Sequence, residues 1–224
     1  MSLPANKGPI ALHYHELTRL ATEQDRFLGF EGTVMAGTPA LRLGWSALAG
    51  CVIDEILGIL NGTTNFILTA MEAGRAYEDA LLEAQRLGYA EADPVGDVEG
   101  YDAAAKVAIL ANVLFGAELR PGDVERQGIT RLTPEDIARA LAAGERWKLI
   151  GRLRREGKRM RASVRPERLP ISHPLAFVSG TTNAITYSTD LLGPVTLIGL
   201  GAGGRPTGFA LLSDLLEIHR RWSK

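Results

Sequence analysis

The chain has 224 residues, 46% of them hydrophobic, with 25 basic and 26 acidic side chains and a formal net charge of −1. The length allows one large domain or two small ones, and the apolar content is enough for a substantial core. There is no basic field for nucleic acid, no polybasic patch for anionic lipid and no apolar window long enough to cross a bilayer, so neither kind of partner is expected.

A single cysteine, Cys51, excludes an internal disulfide framework and suggests a reducing compartment. The start of the chain lacks the basic-then-apolar pattern of a signal peptide, so a cytoplasmic location is expected. Cys51 lies in the apolar run ALAGCVIDEILGIL, where a buried, inert thiol is the expectation.

In chain order, PANKGP is loop chemistry, and the residues after it take helical spacing through Leu12, Leu17, Leu20 and Ala21. FLGFEGTVMAG (27–37) is short and glycine-punctuated, and predicts a buried strand. Residues 43–60 predict one or two helices interrupted by Asp54 and Glu55. GTTN (62–65) is a turn that offers a cap to FILTAMEAG, with Gly74 ending that helix. An amphipathic helix is expected over 77–87, a loop over 88–100 and a helix over 101–115. Thr133-Pro134-Glu135-Asp136 has the residues that start a helix, here 134–143. The basic run RLRREGKRMR (152–161) reads as a solvated turn between two elements. RMRASVRPERLP and AFVSGTTNAITYSTDLLGPVTLIGLGAGG read as strands with a hairpin return, and PTGFALLSDLLEIHRRW as a closing amphipathic helix. The order predicts an α+β fold, with helices packed on a mostly antiparallel sheet and no complete Rossmann domain. GTT occurs at 62–64 and 180–182 with different flanks, which reads as chance.

The chemistry concentrates in one stretch. Glu91, Asp93, Asp97, Glu99 and Asp102 precede Lys106, with Glu83 just outside. Asp102 and Lys106 lie one helical turn apart on one face. An exposed pair of this kind is worth only a few tenths of a kcal/mol, roughly. The surrounding residues, from Ala103 to Leu110, are nearly all small or apolar, so the helix is expected to be buried, and a buried charged pair favours catalysis or ligand binding over a structural role. The acidic loop lacks the alternate-ligand spacing of an EF-hand, so its carboxylates suit an amine or hydroxyl of a small polar substrate better than a dedicated metal. GLGAGG (199–204) before a helix suggests backbone amides offered to an anion or cofactor. It follows no βαβ unit, so it is only loosely a dinucleotide fingerprint. His13 and His15 point apart on a helix, which makes joint chelation a poor reading, and His173 before Pro174 reads as structural.

GILNGTTNFIL (58–68), GYAEADPVGDVEGYDAAAK (88–106) and HPLAFVSGTTNAI with GAGGRPT (173–207) together resemble homoserine dehydrogenases, in that family's order and over essentially the whole chain. ANKGP (5–9) is similar to the point where the family's nucleotide-binding domain meets its substrate domain. The resemblance implies NAD(P)-dependent interconversion of L-homoserine and L-aspartate 4-semialdehyde in threonine, methionine and isoleucine biosynthesis. Lys106 would then move the proton at the reacting oxygen, and Asp102 would orient Lys106 and the substrate. Glu91 would hold the substrate amine and Asp97 its hydroxyl end. Thr63 would contact substrate, Lys7 would sit at the cofactor–substrate junction, and Gly203 would approach the nicotinamide. Similar proteins hold a sodium ion in the loop matching Glu31, Val34, Ala36 and Thr38. An aspartate beside Lys106 favours its charged form, which suits a proton donor in the reductive direction.

The resemblance also divides the chain: residues 1–9 as a junction remnant, 10–200 as a substrate-binding and dimerisation domain, and 201–224 as a glycine loop and helix packing towards the nucleotide-binding domain. The family's Rossmann domain has no counterpart here, so a truncated, weakly active chain is expected. A non-catalytic homodimerisation module is the alternative. A metal-dependent hydrolase is a remote third reading, for want of a histidine ligand set.

Overall fold

A computed structural model of the protein describes residues 2–157 and 159–222, with side chains described as far as residue 220. Six strands form one sheet: β1 (Ile53–Ile59), β2 (Glu125–Arg126), β3 (Glu145–Glu156), β4 (Arg159–Pro170), β5 (Thr182–Thr189) and β6 (Gly193–Leu200). Their order is β2-β4-β3-β1-β5-β6, and among the described residues β2–β4 is the only parallel strand pair. The helices are α1 (Lys7–Glu23), α2 (Ala40–Arg42), α3 (Gly62–Glu72), α4 (Tyr77–Arg86), α5 (Val95–Val98), α6 (Tyr101–Phe115), α7 (Pro134–Ala142) and α8 (Gly204–Trp222). The α+β expectation with a mostly antiparallel sheet therefore holds.

Alternation along the strands sends side chains to two faces. On one face, Leu149, Leu153, Val164, Ile185 and Tyr187 pack with Ile10 of α1, Leu68 of α3, Leu110 of α6 and Ile137 of α7. On the other, Leu57, Ile59, Ile150, Leu169 and Ala184 meet Leu175, Ala176 and Val178 of the segment before β5. Helix starts follow local chemistry. Thr133 caps α7 by accepting from the Asp136 amide at 3.2 Å, and the Asp136 carboxylate accepts the Thr133 amide at 3.1 Å.

Five expectations change. PANKGP is not wholly loop, because α1 starts at Lys7 within it, capped by the Asn6 side chain. Residues 27–37 form no strand. Leu28 makes a single parallel bridge to Ser2, Glu31–Thr33 is one 3-10 turn, and Met35 and Ala36 take positive φ (57° and 48°), which ends any extended run. Residues 43–60 are not all helical. A π-helical turn at Leu43–Ala47 is followed by β1, which lies between β3 and β5. A central strand covered on both faces is a continuous apolar run, the same pattern as a buried helix. The basic run 152–161 is not just a turn: it holds the paired ends of β3 and β4, and Arg152 bridges Glu55 and Glu167 at 2.5 and 2.7 Å. Cys51 is partly exposed in the turn before β1 instead of buried.

The loop 88–100 carries one helical turn, α5, and α3 begins at Gly62 with Asn61 as its cap. The two GTTN segments differ in structure, one opening α3 and the other entering β5. They do touch: the Asn65 amide donates to the Val178 and Thr182 carbonyls at 3.2 and 3.1 Å.

Candidate active site

Asp102 and Lys106 occupy the first two turns of α6. The preceding Gly100 has φ +80°, and a Cβ there would lie 3.1 Å from Val164, so a residue without a side chain is required where the acidic loop turns into the helix. Lys106 is 9% exposed. Its Nζ donates to the Leu60 carbonyl at 2.6 Å and to Asp102 Oδ2 at 2.7 Å. A lysine ammonium has three donors, so one N–H remains for whatever enters the adjoining cavity.

Asp102 is shared. Its Oδ1 lies 3.0 Å from Lys7 Nζ at the start of α1, and its Oδ2 also accepts from the Asn61 carboxamide at 3.0 Å. Burial alone would raise the Asp102 carboxyl. The charges of Lys106 and Lys7, with hydrogen bonds from Lys106 and Asn61, outweigh it and hold the group well below the ordinary carboxylate range. Asp97 on α5 goes the other way. Burial pushes it up and the Asp102 charge adds to that, against the hydrogen bond from Asn61 at 2.6 Å. Thr63 Oγ1 donates to the Tyr89 carbonyl at 2.6 Å, which ties the first turn of α3 to the acidic loop.

These groups border a cavity of about 850 Å³. All seven residues expected for substrate and cofactor line it: Lys106, Asp102, Glu91, Asp97, Thr63, Lys7 and Gly203. The backbone of Gly201, Ala202 and Gly203 forms one edge, at the N-terminus of α8. A Cβ on Gly201 would come within 2.1 Å of the Asn183 carboxamide, so this edge stays free of side chains. That leaves bare backbone along this edge of the cavity.

Of the four residues expected to hold sodium (Glu31, Val34, Ala36 and Thr38), only Ala36 lines the cavity. The Glu31 carboxylate is committed to the Leu41 and Arg42 amides, both at 2.9 Å, and Thr38 Oγ1 donates to the Leu200 carbonyl. Among the described residues, no group of three or more His, Cys, Asp or Glu is placed to hold a metal. Sequence reasoning missed Asn61, the Leu60 carbonyl and Tyr89. Asn61 had a legible signal, an N-cap residue directly before a helix. The histidines stay apart: His13 pairs with Glu16, His15 meets the Ala117 carbonyl, and His173 accepts the Leu175 amide.

The cavity has an acidic wall (Glu91, Asp93, Asp97), two lysines joined by one aspartate, and the first turn of α3. Such carboxylates suit an amine on a small polar molecule, and the unengaged Lys106 N–H is a donor beside them. A sequence-family model described as homoserine dehydrogenase matches residues 39–216. An NAD(+)-dependent homoserine dehydrogenase of Pseudomonas canavaninivorans is 51% identical over 216 residues, covering 96% of this chain and 61% of that protein. A homoserine dehydrogenase structure from Thiobacillus denitrificans superposes with a TM-score of 0.93 at 39% identity, covering 96% of this chain and 50% of that one. A hyperthermophilic archaeal homoserine dehydrogenase in complex with NADPH gives 0.83 at 36%, covering 97% of this chain and 63% of that one. The chain thus spans between half and two thirds of the length of these proteins. With the family's pattern running through most of the sequence and a half-identical relative aligned along nearly all of it, the chain belongs to the homoserine dehydrogenase family.

Proposed function

We propose that this chain forms the substrate-binding half of an NAD(P)-dependent oxidoreductase that interconverts L-homoserine and L-aspartate 4-semialdehyde, in the biosynthesis of threonine, methionine and isoleucine. The observation that carries the reading is one carboxylate, Asp102, held between Lys7 and Lys106 inside a cavity with an acidic wall. Glu91 binds the substrate ammonium, and Asp97 and Thr63 position the hydroxyl end. Asp102 fixes Lys106 so that its unengaged N–H faces the reacting oxygen. In the reductive direction that oxygen takes a proton from Lys106 Nζ, and in the oxidative direction it returns one. A nicotinamide dinucleotide, when bound, supplies or accepts the hydride. Gly201 to Gly203 offer it a backbone edge, with Lys7 at the junction of cofactor and substrate. The relatives' names, one citing NAD(+) and another NADPH, support a nicotinamide dinucleotide without choosing between the two.

The division of the chain follows the same reading: junction residues 1–9, a substrate and dimerisation region 10–200, and residues 201–224 turned towards a nucleotide-binding domain. Taken by itself, this span is proposed to turn over weakly. A sodium ion, if held at residues 31–38, would rest on backbone oxygens of Glu31, Val34, Ala36 and Thr38, since the Glu31 carboxylate is already engaged. A homodimer in the cytoplasm completes the proposal. Phe177 and Ile171, exposed beside the smaller apolar cluster, support a partner on that sheet face.

Calorimetric titration of the chain with L-homoserine, with and without NADPH, tests the reading. Heat of binding that disappears in Asp102→Ala supports it. No binding under either condition overturns it for this span.

A further inference from the structure

Asn61 has two partners at each end of one carboxamide, and it is buried. Its oxygen accepts from the Thr64 amide at 2.8 Å and the Thr64 hydroxyl at 3.0 Å, which makes it the N-cap of α3. Its nitrogen donates one hydrogen bond to Asp97 Oδ1 at 2.6 Å and one to Asp102 Oδ2 at 3.0 Å. The amide cannot flip, because its NH2 would then face the Thr64 N–H, donor against donor.

We propose that Asn61 is a positioning residue, a neutral clamp that holds the Asp97 and Asp102 carboxylates at one fixed separation and so sets the orientation of Lys106. This rests on reading the cavity as the homoserine site. The chemistry requires this residue type. Two neighbouring carboxylates repel unless a donor sits between them, and a primary amide offers two N–H groups from one nitrogen without adding charge. Aspartate would cap the helix equally well but would add a third negative charge. Serine would cap the helix and fall short of both carboxylates. The clamp also links helix start to chemistry: the oxygen is fixed by α3, so the nitrogen's place in the cavity is fixed as well.

The titratable groups that line the cavity with Asp97 are Lys7 from α1, Tyr101, Asp102 and Lys106 from α6, and Tyr89, Glu91 and Asp93 from the acidic loop. The first turn of α3 brings no titratable group, and the Asn61 clamp itself is uncharged. Losing the clamp should therefore shift Asp97 upward, since the Asn61 hydrogen bond holds it down.

The test uses Asn61→Ser and Asn61→Asp in this chain, with three readouts: thermal melting, the Asp97 carboxyl titration by carbon NMR, and homoserine affinity by calorimetry. Asn61→Ser is expected to stay folded because the cap survives, with a melting temperature a few degrees lower for the two lost hydrogen bonds. Its Asp97 midpoint should rise by about one pH unit and its homoserine affinity should fall about tenfold. Asn61→Asp should raise the Asp97 midpoint further. An Asp97 midpoint unmoved in both variants overturns the clamp, as does a serine variant that keeps native affinity. If serine prevents folding, the aspartate variant decides alone. If the native chain binds no homoserine, the functional reading fails, and the Asp97 titration still decides the role of Asn61.

Discussion

Asp102 is the carboxylate on which two ammonium groups depend, so its removal does more harm than the loss of Lys7, whose exposed side chain makes a weak pair. Asp102→Ala leaves the buried Lys106 charge with only the Leu60 carbonyl. The expected loss is about 3–5 kcal/mol in urea denaturation, the range for breaking a buried pair. The pH dependence follows from the same charges. The folded-state value lies well below the ordinary 3.8, so the unfolded chain binds more protons between the two values. The stabilisation from Asp102 is complete above the ordinary value and is lost as pH falls towards the folded one. Urea titrations between about pH 5 and 2.5 should therefore show a smaller acid loss in Asp102→Asn than in the native chain. At this scale the site was largely legible, because the Asp102–Lys106 spacing and the carboxylates before it are local. Lys7 came from the resemblance, and its contact with Asp102, from the far end of the sequence, had no local signal.

The last helix is held by a charged latch. Asp214 of α8, 2% exposed, accepts the Glu31 amide at 3.3 Å and pairs with Arg42 at 2.7 Å, while Arg42 also reaches Ser213. Arg42→Ala should destabilise the chain by about 3–5 kcal/mol, because it strands a buried carboxylate. Limited proteolysis should then cut α8 first. Glu31, beside the latch, is pushed up to about 7, chiefly by burial and against the Arg42 charge and the two amide hydrogen bonds. Its folded value lies above the ordinary 4.5, so the native state binds the extra proton in between, and stability falls as pH rises from about 4.5 to 7. Glu31→Gln should flatten that slope in urea denaturation at pH 5, 6, 7 and 8. It should also lower stability throughout, since its NH2 would face a backbone N–H. None of this was legible in 27–37, where the glycines and apolar residues look like a strand and the element is defined by contacts with residues 41, 42 and 214. The α6 and α7 helices, by contrast, were legible because their starts and periodicities are written within a few residues. β1 was not, because a strand buried on both faces loses its alternation.

For the molecule as a whole, the outward face of α8 exposes Phe209, Leu212 and Leu216, and the edge strand β6 exposes Ile198 and Leu200. Apolar surface of this kind seeks a cover. Phe209→Glu with Leu212→Glu should leave the melting temperature nearly unchanged and reduce concentration-dependent association in sedimentation velocity. A variant that unfolds would place those side chains in the core instead. The position of β1 has a consequence in time. The end of β1 delivers the Leu60 carbonyl and Asn61 to the cavity, yet the strand lies between β3, which starts at Glu145, and β5, which starts at Thr182. On a ribosome, the residues that hold Lys106 are made early and remain without a sheet to support them until the last third of the chain emerges. The pocket is thus assembled by late, long-range pairing, which is intrinsically slow. A nascent chain stalled before Thr182 should hold α6 as a helix but not the formed cavity around Lys106.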